Sequence, residues 1–358
     1  MPRMKERTIG VAVDLHGCPN RCRHCWLGSG PNRKLPRDML REAASAFWNW
    51  KRRGEDAPWL RQVHVSPWYR EPDYSDDYRE LYELSAELSR AKPRRYELLS
   101  VWRLARDPEY ALWAKDVGPK ICQISFFGME KVNDWFYRRK GAFRDNLVAT
   151  ERLLEVGMIP RWQIFLTKPG LPDLEALTGL VSQMSLHQRV ADMGAEFDVF
   201  CHDPGPTGEA FYLDHMRVGQ SDLSLVPKEL MESSEKHFGG KIQWETEGAL
   251  VEKVLSGMAI PLPEPDELWF FINSELDVFA NYEELTPAWR LGNFRSDDLD
   301  VIIDAFESDK PPGLWGRHHV ADIELAQRFG RRDSKKLYCA PDLKSRWLHM
   351  YSEAAMPF

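Results

Sequence analysis

The sequence predicts an α/β protein: a partial (β/α)6 TIM-like barrel followed by a smaller C-terminal α+β domain. Three observations carry that expectation. Short apolar runs alternate with longer amphipathic stretches over the first two hundred residues, the pattern of βα units wound on a parallel sheet. Turn residues crowd the segment after Cys201, HDPGPTGEAFYLDHMRVG, and mark a change of architecture. With 358 residues and 43% apolar side chains, the chain can bury the cores of one large unit and one small one.

Strands are predicted at 9–15, 61–66, 95–101, 120–127, 160–167 and 195–201, which makes six. Helical periodicity fills the intervals near 36–53, 74–91, 107–117, 141–157 and 171–190, with Asp76 and Asp173 as N-cap signals. Right-handed crossovers gather the strand C-termini and the loops after them at one rim, where chemistry is expected. The barrel is expected to span 1–205 and a connecting region 206–260, with helices near 222–238 and 246–257. PLPEPDE reads as a linker into a domain over 261–358, where LWFFINSELDVFANYEEL reads as a hairpin. In the same domain SDDLDVIIDAFES and ADIELAQRF read as helices.

Charge and composition exclude several function classes. A net charge of -7 and a pI near 5.9 argue against a broad phosphate-binding face, so no nucleic acid is expected as a partner. No apolar run reaches the length of a membrane span, and MPRMKERTIG lacks the apolar core of a signal peptide. The chain therefore reads as cytoplasmic, with no membrane partner. Six cysteines, unevenly placed, do not suggest a disulfide framework.

Three of those cysteines, Cys18, Cys22 and Cys25, fall within HGCPNRCRHCW, directly after the first predicted strand. Thiolates are the usual ligands of a 4Fe-4S cluster, so three of them leave one iron open. Gly17 and Pro19 suit a loop that wraps around a metal centre, and nearby Asp and Glu are absent from the motif. A zinc site is the alternative, with His16 or His24 as fourth ligand. Buried unligated thiols are a third reading.

The CxxxCxxC triad after the first strand of a βα repeat resembles the radical S-adenosylmethionine superfamily. The resemblance spans residues 9–201 at the level of fold, and the cysteine loop carries its specificity. It implies one 4Fe-4S cluster whose open iron chelates S-adenosylmethionine (AdoMet). It also implies reductive cleavage of AdoMet to a 5'-deoxyadenosyl radical that abstracts a substrate hydrogen, with an electron donor of flavodoxin or ferredoxin type. The residue before the third cysteine is usually aromatic and packs near the adenine; here it is His24, followed by Trp26. SPWYREPD stands where the family often has a Gly-Gly-Glu-Pro-like turn, which puts Ser66 and Pro67 beside the methionine moiety, with Glu71 the weaker acceptor for its ammonium. ISFFGMEKVND resembles the SxxG turn of SPASM-type members and implies Ser125 near the methionine carboxylate or ribose. Arg144 offers a fork for the carboxylate, unless it is an exposed helix residue, and Gln163 and Thr167 are expected at the ribose.

Cys201 ends the sixth predicted strand, and a thiol at the barrel mouth can donate hydrogen to a substrate radical, although a lone cysteine there is more often a small buried hydrophobe. His202 and Asp203, which follow it, are possible substrate contacts, and Cys122 reads as core. The region from LWFFINSELDVFANYEEL through LGNF to DDLDVIIDAF resembles a SPASM or Twitch extension whose cluster cysteines are vacant. Asn281 stands where a ligand would be expected, and Cys339 is the lone cysteine of the domain, so no auxiliary cluster is expected. Tyr282, Trp289, Trp315, His318 and His319 are then expected to line a substrate pocket. Without an internal electron acceptor, an epimerase, lyase or mutase is favoured over a dehydrogenase. The expected substrate is a small metabolite such as a sugar, nucleoside or amino-acid derivative, because only eight residues precede the first strand and leave no room there for a peptide-recognition domain. The alternatives are a maturase acting on a ribosomal peptide and, in another class, a non-catalytic iron-sulfur or zinc-binding module.

Overall fold

The computed structural model describes residues 4, 7–28, 30–95, 97–280 and 285–356. β1 (Thr8–Val13) is buried from Ile9 onward because helices cover one face and the barrel interior the other. α1 (Asp38–Asn49) turns Met39, Leu40, Ala43, Ala44 and Phe47 into a single stripe against it. β2 (Gln62–Ser66), α2 (Tyr78–Ser89), α3 (Val101–Arg106), α4 (Pro108–Val117), β3 (Ile121–Phe126), α5 (Glu130–Tyr137) and α6 (Ala142–Glu155) follow. β4 (Ile159–Phe165), α7 (Leu174–Gln183), α8 (Leu186–Asp192) and β5 (Asp198–His202) complete the βα region. Beyond it lie α9 (Lys228–His237), β6 (Glu245–Thr246), α10 (Glu247–Leu255), β7 (Leu268–Ile272), β8 (Asp277–Ala280) and β9 (Gly292–Asn293). The remaining elements are α11 (Leu299–Glu307), α12 (Pro312–His319), α13 (Asp322–Phe329), β10 (Leu337–Tyr338) and α14 (Ala340–Ala355).

Among the described residues six strands are parallel to a neighbour, in two groups, as a partial TIM-like barrel requires. β3, β4 and β5 form one group, with Ser125 opposite Gln163 and Gln163 opposite Phe200. β2, β1 and β7 form the other, with Gly10 between His64 and Trp269. Gly10 has no side chain because the Trp269 indole fills the place its Cβ would take. β7 and β8 make the predicted hairpin, and β9 continues the sheet.

The sixth parallel strand is therefore β7; among the described residues, the stretch predicted at 95–101 forms no ladder. Residues 97–100 run alongside β3, where Gln123 N donates to Glu97 O at 2.7 Å, while Tyr96 lies outside the described residues. Ser100 then starts α3, its hydroxyl accepting from Arg103 N at 3.2 Å. The edge of β2 facing this gap is closed by a side chain, Val65 N donating to Ser89 Oγ at 2.8 Å. The two predicted N-caps also have other employment. Asp76 accepts from Arg103 at 3.1 Å and lies two residues before the start of α2, whose N-cap is Asp77, and Asp173 accepts from Met129 N at 2.8 Å.

Two cores flank the barrel interior, one around β1, β2, β7 and α1, the other around β3, β4, β5 and their helices. A third joins α10, α13 and α14. Among the described residues, no helix is long and apolar enough to cross a membrane.

Candidate active site

The loop after β1 is held from several sides. Asp14, buried, accepts from Gly17 N at 3.2 Å and from Arg70 Nε at 2.6 Å. Gly17 has φ +77°, and Asn32 packs where a side chain would stand. Asn32 uses that closeness twice, its Oδ1 accepting from Cys18 N at 3.2 Å and its Nδ2 donating to Cys18 O at 2.6 Å. On the far side, Cys25 O accepts from Gly28 N at 3.1 Å and from Glu209 N at 2.9 Å. Gly208, with φ +57°, lets that strap close, since a side chain there would strike the carbonyls of Cys25 and Trp26. The turn-rich segment after Cys201 thus buttresses the cysteine loop.

The three sulfurs are half-buried and close enough to perturb one another. Burial pushes every thiol up, Cys18 and Cys22 the furthest, and Glu71 adds to the rise at both. Glu71 Oε2 lies 4.0 Å from Cys18 Sγ, and Glu71 Oε1 accepts from Ser100 Oγ at 2.8 Å. Burial pushes the Glu71 carboxyl up to about 7. The cysteine motif is free of acids in the sequence, yet the fold delivers one. Arg139 approaches from the turn after α5, its Nε donating to Asn20 Oδ1 at 2.6 Å. Three thiols gathered beside a carboxylate stay protonated until a cationic centre takes their protons' place, which fits an iron-sulfur cluster bound through three sulfurs.

The two histidines offered as a fourth zinc ligand are engaged elsewhere. His16 Nε2 lies 3.7 Å from Asp77 Oδ1. His24 packs in an aromatic nest, with ring centroids 4.1 Å from Phe127, 5.5 Å from Phe165 and 5.8 Å from Tyr137. Burial lowers the His24 pKa to about 3, so the ring is neutral, and it is tilted 42° to Phe127.

No family model matches the sequence, and no curated protein matches it. Solved structures do. Native anSMEcpe with bound AdoMet aligns over 96% of this chain and 97% of its own at 13% identity, with a TM-score of 0.53. The same protein with bound AdoMet and the Cp18Cys peptide aligns over 96% of each chain at 14% identity, with a TM-score of 0.51. The likeness is one of fold, and along nearly its whole length the chain is built as anSMEcpe is built. SuiB of Streptococcus suis bound to S-adenosylmethionine is a more distant likeness, at 13% identity and TM-score 0.43 over 87% of this chain and 68% of its own.

Within that fold, the residues singled out in the sequence divide. Ser125 and Gln163 come together on the interior face, Ser125 Oγ 3.4 Å from Gln163 Oε1, which also accepts from Gln123 Nε2 at 2.8 Å. Strand alternation puts them on the face that carries Phe165, against which His24 packs. Thr167 is buried beyond the end of β4, with Oγ1 lacking a hydrogen-bond partner. Ser66 spends its hydroxyl on Trp68 O at 2.7 Å. Trp26, 43% exposed, turns to a separate cavity. Arg144 stands apart on the outer face of α6, 73% exposed and paired with Glu130 at 3.0 Å.

Cys201 requires a correction. It pairs with Ile164, not with Gln163 or Phe165, so it faces outward, where Ser234 Oγ donates to its sulfur at 3.2 Å beneath α9. Its neighbours Phe200 and His202 hold the inward positions. Asp203 is buried, ion-paired with Arg217 and accepting from Trp244 Nε1 at 3.1 Å, and it lies with Cys339 and Asp342 in a group whose ligand atoms are within 4.8 Å of one another. The expected aromatic lining also separates. Trp289 is core and Trp315 stacks on His319 and Tyr351, while Asn281 and Tyr282 lie outside the described residues. Arg139, which no sequence signal marked, joins Arg70 as a basic residue that the fold brings to the cysteine loop.

Proposed function

We propose that this chain is a radical S-adenosylmethionine enzyme that holds one 4Fe-4S cluster through Cys18, Cys22 and Cys25. The observation that carries the reading is the placement of three thiols on the loop after β1 with the Glu71 carboxylate 4.0 Å from Cys18 Sγ. When bound, such a cluster supplies the electron that splits AdoMet and so gives the radical that removes a substrate hydrogen. Glu71, a buried acceptor beside Cys18, would receive the ammonium of the methionine moiety. His24 presents a neutral ring for stacking on adenine, and Ser125, Gln163 and Thr167 offer hydroxyl and amide groups to the ribose.

The proposed substrate is a small metabolite and the outcome redox-neutral, an epimerisation, elimination or rearrangement, because Cys339 is the lone thiol of residues 261–358. An electron donor of flavodoxin or ferredoxin type would serve the cluster in the cytoplasm. A second reading, modification of a peptide, is favoured by the peptide bound in anSMEcpe.

The test is anaerobic reconstitution followed by dithionite reduction, with iron and 5'-deoxyadenosine measured. About four irons per chain and steady 5'-deoxyadenosine are expected. A Cys22→Ala variant that goes on making 5'-deoxyadenosine sinks the reading, and about eight irons would reveal a further cluster.

A further inference from the structure

A cavity of about 330 Å³ opens beside the cysteine loop, on the β1–β2–β7 side of the barrel. Its wall includes Trp26 and Leu27, which follow Cys25, and Arg70 and Pro72, which flank Glu71. The surface His24 offers to adenine belongs to the opposite side, among Phe127, Phe165 and Tyr137. The cavity is thus next to the proposed cofactor site without being part of it.

Its walls are aromatic: Trp26, Trp68, Tyr69, Tyr82 and Trp269 all contribute. Three arginines also reach it, but each is neutralised by a carboxylate of its own. Arg70 Nε donates to Asp14 at 2.6 Å, Arg94 Nη1 to Glu267 at 2.7 Å and Arg95 Nη1 to Asp73 at 3.0 Å. Among the described residues of the wall no uncompensated charge faces an incoming group, so an anion entering would lose its hydration without a counter-ion. Two wall residues nonetheless hold polar atoms without hydrogen-bond partners, Ser85 Oγ and His64 Nδ1. Buried polar groups are nearly always paired, and an exception at a cavity wall marks a place where a ligand can complete the pairing.

Resting on the reading of the chain as a radical S-adenosylmethionine enzyme, we propose that the substrate places in this cavity a neutral aromatic ring carrying one hydrogen-bonding group, a phenol or an indole. Stacking and area burial hold the ring, and Ser85 or His64 orients its polar tip after a side-chain rotation. Sugars and phosphorylated metabolites fit poorly, since the wall offers them too few hydrogen bonds and no free charge.

The experiment is anaerobic calorimetry on cluster-loaded protein with AdoMet present and no reductant, using p-cresol, 3-methylindole and 4-methylbenzoate as probes. The two neutral probes are expected to bind at least tenfold tighter than the benzoate, and Ser85→Leu, which fills the space, to weaken p-cresol at least tenfold. Equal binding of the benzoate in the wild-type protein overturns the proposal whether or not the variant folds, as does p-cresol binding that a folded Ser85→Leu leaves unchanged. A capped Gly-Tyr-Gly peptide that binds tighter than p-cresol assigns the ring to a peptide, and weaker binding assigns it to a free metabolite; failure of both to bind overturns the proposal. The same wild-type preparation, reduced, separates the two claims. Absence of 5'-deoxyadenosine sinks the enzyme reading, whereas its formation without p-cresol binding sinks the cavity assignment alone.

Discussion

The carboxylate of Glu71 stands 4.0 Å from the sulfur of Cys18, although fifty-three residues separate the two in the chain. This contact joins the loop after β2 to the loop after β1 and makes Glu71 the acidic group of the site. Glu71→Gln keeps the shape and removes the charge. AdoMet should then bind ten- to a hundredfold more weakly, as expected for the loss of about 1.5–3 kcal/mol in a charge-assisted hydrogen bond, with iron content unchanged. Calorimetry with AdoMet on the cluster-loaded variant measures this, and an unaltered affinity removes Glu71 from the cofactor.

Gly208→Ala tests the strap behind the cysteine loop. Its φ of +57° and the carbonyls of Cys25 and Trp26 leave no room for a methyl group. A destabilisation of roughly 1–3 kcal/mol is expected, together with a loss of at least half the iron retained after reconstitution. Gly179→Ala is the control, since it lies in α7 with nothing within 4 Å and should be neutral or slightly stabilising.

Asp214 predicts how the fold responds to acid. Lys336, Tyr338, Arg346 and Arg331 surround its carboxylate and hold it well below the usual range, against the opposing effect of burial. The native state therefore binds fewer protons at this site than the unfolded chain does. Its stabilisation is complete above about pH 4 and fades as the pH falls further. Thermal unfolding followed from about pH 5 down to about pH 2 should show this slope below pH 4 in the wild type and lose it in Asp214→Asn. The variant should also be about 3 kcal/mol less stable at pH 7, because its cationic partners lose their counter-ion.

Cys201→Ala should change 5'-deoxyadenosine formation by less than twofold, because the thiol faces α9 and not the barrel interior. The cost is expected in stability, about 1 kcal/mol, from the lost sulfur packing. A large drop in product formation with an unchanged melting temperature would restore a chemical role to this thiol.

The strands and helices with strong periodicity were legible in the sequence, as was the cysteine loop, because both are local properties. The stretch at 95–101 was not. Its apolar run reads as a strand, but Arg94 and Arg95 are drawn to Glu267 and Asp73, and Ser100 caps a helix. The partner of β1 on its open side is β7, a pairing that no local pattern announces. The orientation of Cys201 was in principle countable, since alternation from the inward Gln163 and its partner Phe200 places residue 201 outward. The approach of Glu71 and Arg139 to the cysteines was beyond reach, because it depends on how separate loops meet at the rim.

The register of Ile9 with Leu268 sets an order of events during synthesis. As the chain leaves the ribosome, β1 has one of its two neighbours within the first seventy residues, while the other must wait until residue 272 has emerged. Until then the strand that anchors the thiols has an open edge, and Ser274, whose hydroxyl donates to Pro31 O at 2.9 Å, cannot brace the end of their loop. The cluster proposed on these thiols would then be held stably only once β7 has emerged, and not by the first seventy residues alone.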